Sequence, residues 1–169
     1  MELSAKSVIL FVAVILTGLS AGLFYAWSVS VIPGTRRLLD LTYLQSMQSI
    51  NRAILNPAFF LVFFGSIIFL VIASVSEFNT SKQAFGLLMV CVCTYLFGTV
   101  GVTGLGNVPL NNQLEALDLA QASTEKLADF RKYYEHTWNR WHLIRSVFAV
   151  ISFISAVLAI LLHHSQVCK

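Results

Sequence analysis

Four long stretches without a charged residue constrain the fold of this chain more than any other feature. Asp, Glu, Lys and Arg are absent from residues 7–35, 53–76, 83–114 and 146–167. Each stretch supplies the roughly 20 mostly apolar residues that a membrane-spanning helix needs. Only 11% of the 169 residues are charged, against about 25% in a typical soluble domain. The sequence therefore predicts an all-α integral membrane four-helix bundle, forming a single domain over residues 1–169, with helical extensions outside the membrane on one side and spans at about 7–32, 56–76, 83–104 and 143–162.

The first apolar stretch has to be compared with a cleaved signal peptide. A signal peptide has an apolar core of about 7–15 residues and then a small-residue cleavage site. Here the run is longer, and Tyr25 and Trp27 stand where cleavage would fall, so the sequence favours a retained helix. Tyr25 and Trp27 either anchor that helix at the membrane interface or face a cavity. Pro33-Gly34 is predicted to end it.

Further polar signals mark the ends of the later spans. Residues 39–54 have apolar side chains at helical spacing, with polar ones on the opposite face. This pattern indicates a helix that lies at the interface or extends the second span. Asn56-Pro57 either begins the second span, as N-cap and first-turn proline, or kinks a longer helix. Gly104-Leu-Gly106 is predicted to end the third span. Residues 110–137 then form a predicted extramembrane helix with one apolar side, either continuous or broken in two at Ser123 or Thr124.

The distribution of basic residues predicts an orientation. Four spans place both termini on one side of the membrane. That side carries Lys6, Lys82 and Lys169, and the other carries Arg36, Arg37, Arg52, Lys126, Arg131, Lys132, Arg140 and Arg145. Because Lys and Arg are enriched in cytoplasmic segments, the two long connections are predicted to be cytoplasmic. If the chain is bacterial, the protein is predicted to lie in the plasma or inner membrane.

Several functional classes are disfavoured. A net charge of +3 without a basic run argues against nucleic-acid binding. Cys91 and Cys93 are two apart and point to different helix faces, which favours a packing role, and with Cys168 they form no Cys-x-x-Cys motif. His136 and His142 are six apart and cannot share a helix face. Since no Glu-x-x-His motif occurs either, the sequence predicts no bound metal, haem or other cofactor.

Polar residues concentrate at three span junctions, and the four-span count puts all three on one side of the membrane. Asparagine side chains can hold a carbonyl or phenolate oxygen, and His142 lies three residues before Arg145 on one helix face. An arginine at the edge of the bilayer is expensive unless it faces the bundle or water. Interfacial anchoring, snorkelling and helix capping are the structural alternatives. The predicted site comprises Asn111, His142 and Arg145 as catalytic residues and Arg36, Asn51, Asn56, Asn107, Asn112, Trp138 and Trp141 as substrate-binding residues.

Three stretches carry a family resemblance. They are Trp27-Ser-Val-Ser-Val-Ile-Pro33, Met47-Gln-Ser-Ile-Asn-Arg-Ala-Ile-Leu-Asn-Pro57 and Asn107-Val-Pro-Leu-Asn-Asn112, completed by Trp138, Trp141 and Arg145. Together they resemble the anthrone-oxygenase-like family of small integral membrane proteins, most of whose members have no established activity. By that resemblance the functional positions are Asn51, Asn56, Asn107, Pro109, Asn111, Trp138 and Arg145. The family usually has an asparagine after the second tryptophan, where this chain has His142.

The resemblance implies oxidation of an anthrone to an anthraquinone by molecular oxygen without an obvious cofactor. In the corresponding hypothesis, His142 removes the acidic proton beside a carbonyl, and Asn111 and Arg145 hold the enolate that reacts with oxygen. The predicted partners are the lipid bilayer, an apolar aromatic or quinol-like molecule and oxygen. Family membership does not settle function. A non-catalytic scaffold that binds a partner helix or lipid headgroup remains open, and a cavity near Asn111 and Arg145 would distinguish an enzyme from it.

Overall fold

A computed structural model describes residues 4–167, with side chains described up to residue 163; Cys168 and Lys169 lie outside the described residues. Within this range the chain forms five helices and no β-strand. The helices are α1 (Ala5–Thr35), α2 (Asp40–Ala53), α3 (Pro57–Glu77), α4 (Lys82–Glu115) and α5 (Thr124–Val167). Four of them, α1, α3, α4 and α5, are long and apolar enough to cross a membrane. The prediction of an all-α membrane bundle is therefore confirmed.

The junction between α2 and α3 resolves the alternatives for Asn56-Pro57. Asn56 is the N-cap of α3, and its Oδ1 accepts a hydrogen bond of 3.0 Å from the backbone N–H of Phe59. Pro57 occupies the first helical position, where its missing N–H is not needed. The pair begins a helix rather than kinking one, so α2 is a separate helix.

Two predicted helix ends are wrong. α1 continues through Pro33-Gly34 to Thr35, and α4 continues through Gly104, Gly106 and Pro109 to Glu115. In both cases a π-helical turn comes directly before the proline-containing segment, at Trp27–Val31 in α1 and at Thr103–Asn107 in α4. A π-turn carries an extra residue without leaving the helix. The predicted extramembrane helix over 110–137 is divided between the end of α4 and the start of α5, and α5 begins at Thr124, where a break was one of the two alternatives.

The bundle has two packed regions along its length. In the membrane-spanning half, α1, α3, α4 and α5 bury small and aliphatic side chains around Tyr95, whose hydroxyl donates to Phe63 O at 3.0 Å. In the other half, α2, the end of α4 and the first half of α5 enclose a second cluster that includes Tyr43, Leu114 and Tyr134. The site lies where these two regions meet.

Candidate functional site

A cavity of about 360 Å³ lies between α1, the α2–α3 junction, α4 and α5. Most of its lining is aliphatic or aromatic, contributed by Leu23, Phe24, Trp27, Ile50, Ile54, Leu55, Phe59, Val108 and Trp138. Its polar lining comes from Asn51, Arg52, Thr103, Asn111, Asn112, Glu115 and Arg145. A few convergent polar groups in an apolar concavity of this size are typical of a small-molecule site.

Arg145 is the charged group at the deep end of this cavity. Arg145 is only 8% exposed. Its guanidinium carbon lies 4.7 Å from the ring centroid of Phe24 and 5.1 Å from that of Trp138. Among residues 4–163, no carboxylate lies within 4.0 Å of it. Partly buried Arg131 differs, since it pairs with Asp40 at 2.9 Å and Glu135 at 3.1 Å. Arg145 is therefore a buried cation whose neighbours leave room for an electron-rich ligand.

The remaining contacts of Arg145 are with neutral acceptors. Its Nε and Nη2 lie 3.3 Å and 3.1 Å from His142 Nδ1, and its Nη1 donates to Thr103 Oγ1 at 3.3 Å. These contacts use three of the five N–H groups of the guanidinium, which leaves two for a ligand. His142 and Thr103 therefore hold the guanidinium of Arg145, which is part of the cavity lining.

His142 is the group that holds Arg145. It is 1% exposed, its ring stacks on Trp138 at 5.1 Å, and it is absent from the cavity lining. Because a guanidinium can only donate, Nδ1 acts as an acceptor. The hydroxyls of Ser28 and Ser146 donate to the carbonyls of Phe24 and His142, so Nε2–H donates to Ser28 Oγ at 2.9 Å. We assign the neutral Nε2–H tautomer on this network.

Asn111 is oriented by two donors. Trp138 Nε1 donates to its Oδ1 at 2.8 Å, and the hydroxyl of Tyr134 donates to the same atom at 3.2 Å. The Tyr134 hydroxyl in turn accepts from Asn51 Nδ2 at 3.3 Å. With these atoms engaged, Asn111 offers Nδ2 as a donor and Asn51 offers Oδ1 as an acceptor. One buried tyrosine thus sets the polarity of two amides in the cavity wall.

The π-helical turns bring two of the supporting hydroxyls into place. Ser28 lies in the turn of α1 at Trp27–Val31, and Thr103 opens the turn of α4 at Thr103–Asn107. Such turns are frequent at functional sites because they redirect side chains without ending the helix. Here they direct Ser28 toward His142 and Thr103 toward Arg145.

The predicted site residues divide into three groups. Arg145, Asn111, Asn112, Trp138 and Asn51 line the cavity. Two are buried beside it: His142, and Asn107, whose Nδ2 donates to Trp138 O at 3.2 Å.

The third group does not line the cavity. Asn56 caps α3 and donates from Nδ2 to Ala53 O at 2.8 Å. Trp141 packs so closely on Gly106 that an added Cβ there would touch its ring. Arg36 is largely exposed, 3.8 Å from Glu135. Substrate contact is therefore not assigned to these three.

Sequence reasoning missed several contributors. Tyr134, Ser28, Thr103 and Phe24 carry no functional pattern by themselves. A signal for Tyr134 was present, since it lies four residues before Trp138 and eight before His142, on the same face of α5. Ser28 and Thr103 could not be found that way, because their direction depends on the π-helical turns.

An ion pair spans the outer end of the cavity. Arg52 at the end of α2 contacts Glu115 at the end of α4, with Nη2 2.7 Å from Oε1 and Nε 3.0 Å from Oε2. The hydrogen bond to Glu115, followed by its negative charge, raises the pKa of Arg52 above its ordinary value. Both side chains are substantially exposed, so the pair stabilises the fold little and can open.

Comparison with known proteins identifies one family. A family model described as anthrone oxygenase matches residues 58–155, more than half of the chain. The matched region includes Asn107, Asn111, Trp138 and Arg145 but neither α1 nor α2. No curated protein and no solved structure matches the chain.

Proposed function

Since the chain belongs to the anthrone oxygenase family, we propose that it is a membrane-embedded oxygenase of anthrone-like aromatic ketones. The reaction converts the methylene group of the ketone to a second carbonyl with one molecule of oxygen. The carbon gains one oxygen atom, and the other leaves as water. The four electrons that reduce oxygen come from the methylene carbon, so the overall reaction needs no separate reductant.

The observation that carries the proposal is the cavity beside Arg145, which forms no ion pair with the described residues. A scaffold that binds a partner helix would fill this space with its own side chains, whereas an enzyme keeps it for a substrate. The apolar lining suits a flat aromatic body, and the open donors of Arg145 and Asn111 suit one oxygen on that body. No carboxylate of the described residues lies within 4.0 Å of this buried arginine, so it gains most from a ligand that carries negative charge.

In the proposed mechanism, Arg145 and Asn111 Nδ2 bind the ketone oxygen of the substrate. Loss of a methylene proton moves negative charge onto that oxygen, where preorganised donors stabilise it more than they stabilise the neutral ketone. The enolate transfers one electron to oxygen, and the resulting radical pair combines to form a carbon–oxygen bond. After protonation, the hydroperoxide loses water together with the second methylene hydrogen and leaves the carbonyl.

The geometry favours a positioning role for His142 instead of the general-base role expected from the sequence. The lone pair of Nδ1 faces Arg145, and Nε2–H is engaged by Ser28. The imidazole has no free basic nitrogen on the cavity side, so it orients the guanidinium. We propose that the methylene proton leaves to water that enters the outer end of the cavity when the exposed Arg52–Glu115 pair opens.

Oxygen uptake by the purified protein with anthrone, corrected for the rate without enzyme, tests the proposal. Arg145→Gln should lower kcat by about 100-fold or more, the effect of removing one oxyanion donor in other enzymes. Asn111→Ala should lower it in the same direction. Arg140→Gln is the matched control, because Arg140 lies five residues earlier on α5 and is exposed. Folded wild-type protein that consumes no oxygen with anthrones or hydroquinones would refute the activity.

The orientation remains a proposal of its own. The eight Lys and Arg residues on the side of the long connections support a cytoplasmic location for α2 and the α4–α5 connection. A cysteine introduced at exposed Gln121 should be protected from an impermeant thiol reagent in intact cells, with the native cysteines replaced. Labelling of this cysteine in intact cells would indicate the opposite orientation.

A further inference from the structure

The cavity is bounded in two different ways, and the difference bears on how a ligand enters it. At its outer end, the Arg52–Glu115 ion pair joins α2 to α4. Along α4 the lining extends from Thr103 to Glu115, which at 1.5 Å per residue is about 18 Å. The cavity is therefore elongated, with Arg145 at its deep end and the Arg52–Glu115 ion pair at its outer end.

The side of the cavity has a different composition. Leu23 from α1, Leu55 from the α2–α3 junction and Val108 from α4 all line the cavity. The same three residues are 37%, 66% and 41% exposed, more than the buried lining residues Phe24 and Trp138 at 4% and 3%. Side chains that belong both to the lining and to the surface mark an opening. We name this opening the lateral portal.

The surroundings of the lateral portal identify the medium outside it. Leu105, one turn before Val108 on α4, is 84% exposed, and Leu23 lies within the apolar part of α1. Contact of these exposed aliphatic side chains with lipid is favourable, whereas their contact with water is unfavourable. The lateral portal therefore opens toward the bilayer.

We propose that the substrate enters from the bilayer through the lateral portal, while the Arg52–Glu115 pair closes the aqueous end. This inference rests on the proposed function and deepens it, because it defines the substrate class as molecules that partition into lipid. A flat apolar body with an oxygen at one end lies near the polar edge of a bilayer. It enters oxygen-first toward Arg145 and leaves its apolar body between Leu23, Leu55 and Val108.

Narrowing the lateral portal tests the route. Val108→Phe and Leu55→Phe, in lipid nanodiscs, should each lower kcat/KM for anthrone by about tenfold, at the lower end of the range by which association rates vary among variants of one site. Leu105→Phe is the matched control for Leu55→Phe, since it makes the same substitution at an exposed residue outside the lining, and it should leave kcat/KM unchanged. Wild-type kcat/KM in both portal variants would overturn the proposal.

A water-soluble substrate distinguishes entry through the lateral portal from entry through the aqueous end of the cavity. Wild-type protein should oxidise a sulfonated anthrone poorly, and Glu115→Gln, which weakens the bridge and removes a negative charge, should improve that reaction. Val108→Phe added to Glu115→Gln should not slow it. Wild-type oxidation of the sulfonated compound as efficient as that of anthrone would contradict a closed aqueous end.

Failure of the proposed function is distinguishable from failure of the route. If wild-type protein consumes no oxygen, the association rate of anthraquinone, followed by quenching of tryptophan fluorescence, replaces turnover as the readout. A slower association in Val108→Phe than in Leu105→Phe would support the lateral portal without any catalysis. Equal rates, or no binding to the wild type, would overturn it.

Discussion

Removing the hydroxyl of Tyr134 tests whether the two amides of the cavity wall are held in a functional orientation. In Tyr134→Phe, Asn51 Nδ2 loses its acceptor at 3.3 Å and Asn111 Oδ1 loses one of its two donors, at 3.2 Å. A net hydrogen bond contributes about 1 kcal/mol, and both distances lie at the long end of the range. We therefore expect a total cost of about 1–2 kcal/mol, which corresponds to about a 5- to 30-fold loss in kcat/KM if the amides act on the transition state.

The measurement is kcat and KM for oxygen uptake with anthrone in wild type, Tyr134→Phe and Tyr133→Phe. Tyr133 is the matched control, because it is the adjacent tyrosine on α5 and is half exposed. Trp138 Nε1 still holds Asn111 Oδ1 at 2.8 Å in the single variant, so adding Trp138→Phe should cost more than the sum of the two single losses. An unchanged kcat/KM in Tyr134→Phe, with wild-type stability, would refute the reasoning.

Two further predictions concern stability and are independent of activity. Gly98→Ala should lower the free energy of unfolding by about 1–3 kcal/mol, because the new Cβ would meet the base of the Phe148 ring. Gly86→Ala should raise it by about 0.5–1 kcal/mol, because the added methyl has open space around it. If thermal unfolding showed a change in stability of the same sign for both variants, this packing would be contradicted. His163→Leu should cost about 1–3 kcal/mol, because it removes the group that lies 2.9 Å from Oε1 of buried Glu77, whose Oε2 already has no hydrogen-bond partner among the described residues. Adding Glu77→Met should recover most of that loss, whereas a double variant as unstable as His163→Leu would argue against the pairing.

The membrane architecture was predictable because lipid imposes a simple requirement on the sequence. Four charge-free stretches gave four spanning helices, and counting spans placed the three polar junctions at one end. The helical spacing of His142 and Arg145 also put these two correctly on one face of α5, where they contact each other. These features follow from composition and a period of 3.6 residues, which can be read directly from the chain.

The detailed direction of the side chains was not predictable in the same way. A π-helical turn inserts one residue, and one residue corresponds to about 100° of rotation along an α-helix, so every later side chain on that helix points elsewhere than the period indicates. This explains why Gly104 and Gly106 do not end α4 and why Ser28 and Thr103 reach the site. The burial of His142 behind Arg145 is a tertiary feature that no spacing within α5 reveals.

Isotope labelling with ¹⁸O₂ tests most directly the central claim that Arg145 and the adjoining cavity carry out an oxygenation. Wild-type protein supplied with anthrone should give anthraquinone with one ¹⁸O atom per molecule by mass spectrometry, at a rate well above the reaction without enzyme. Arg145→Gln should lower this rate to near the uncatalysed value, and Arg140→Gln should leave it unchanged. Product without label, or labelled product formed equally fast by folded Arg145→Gln protein, would contradict the account.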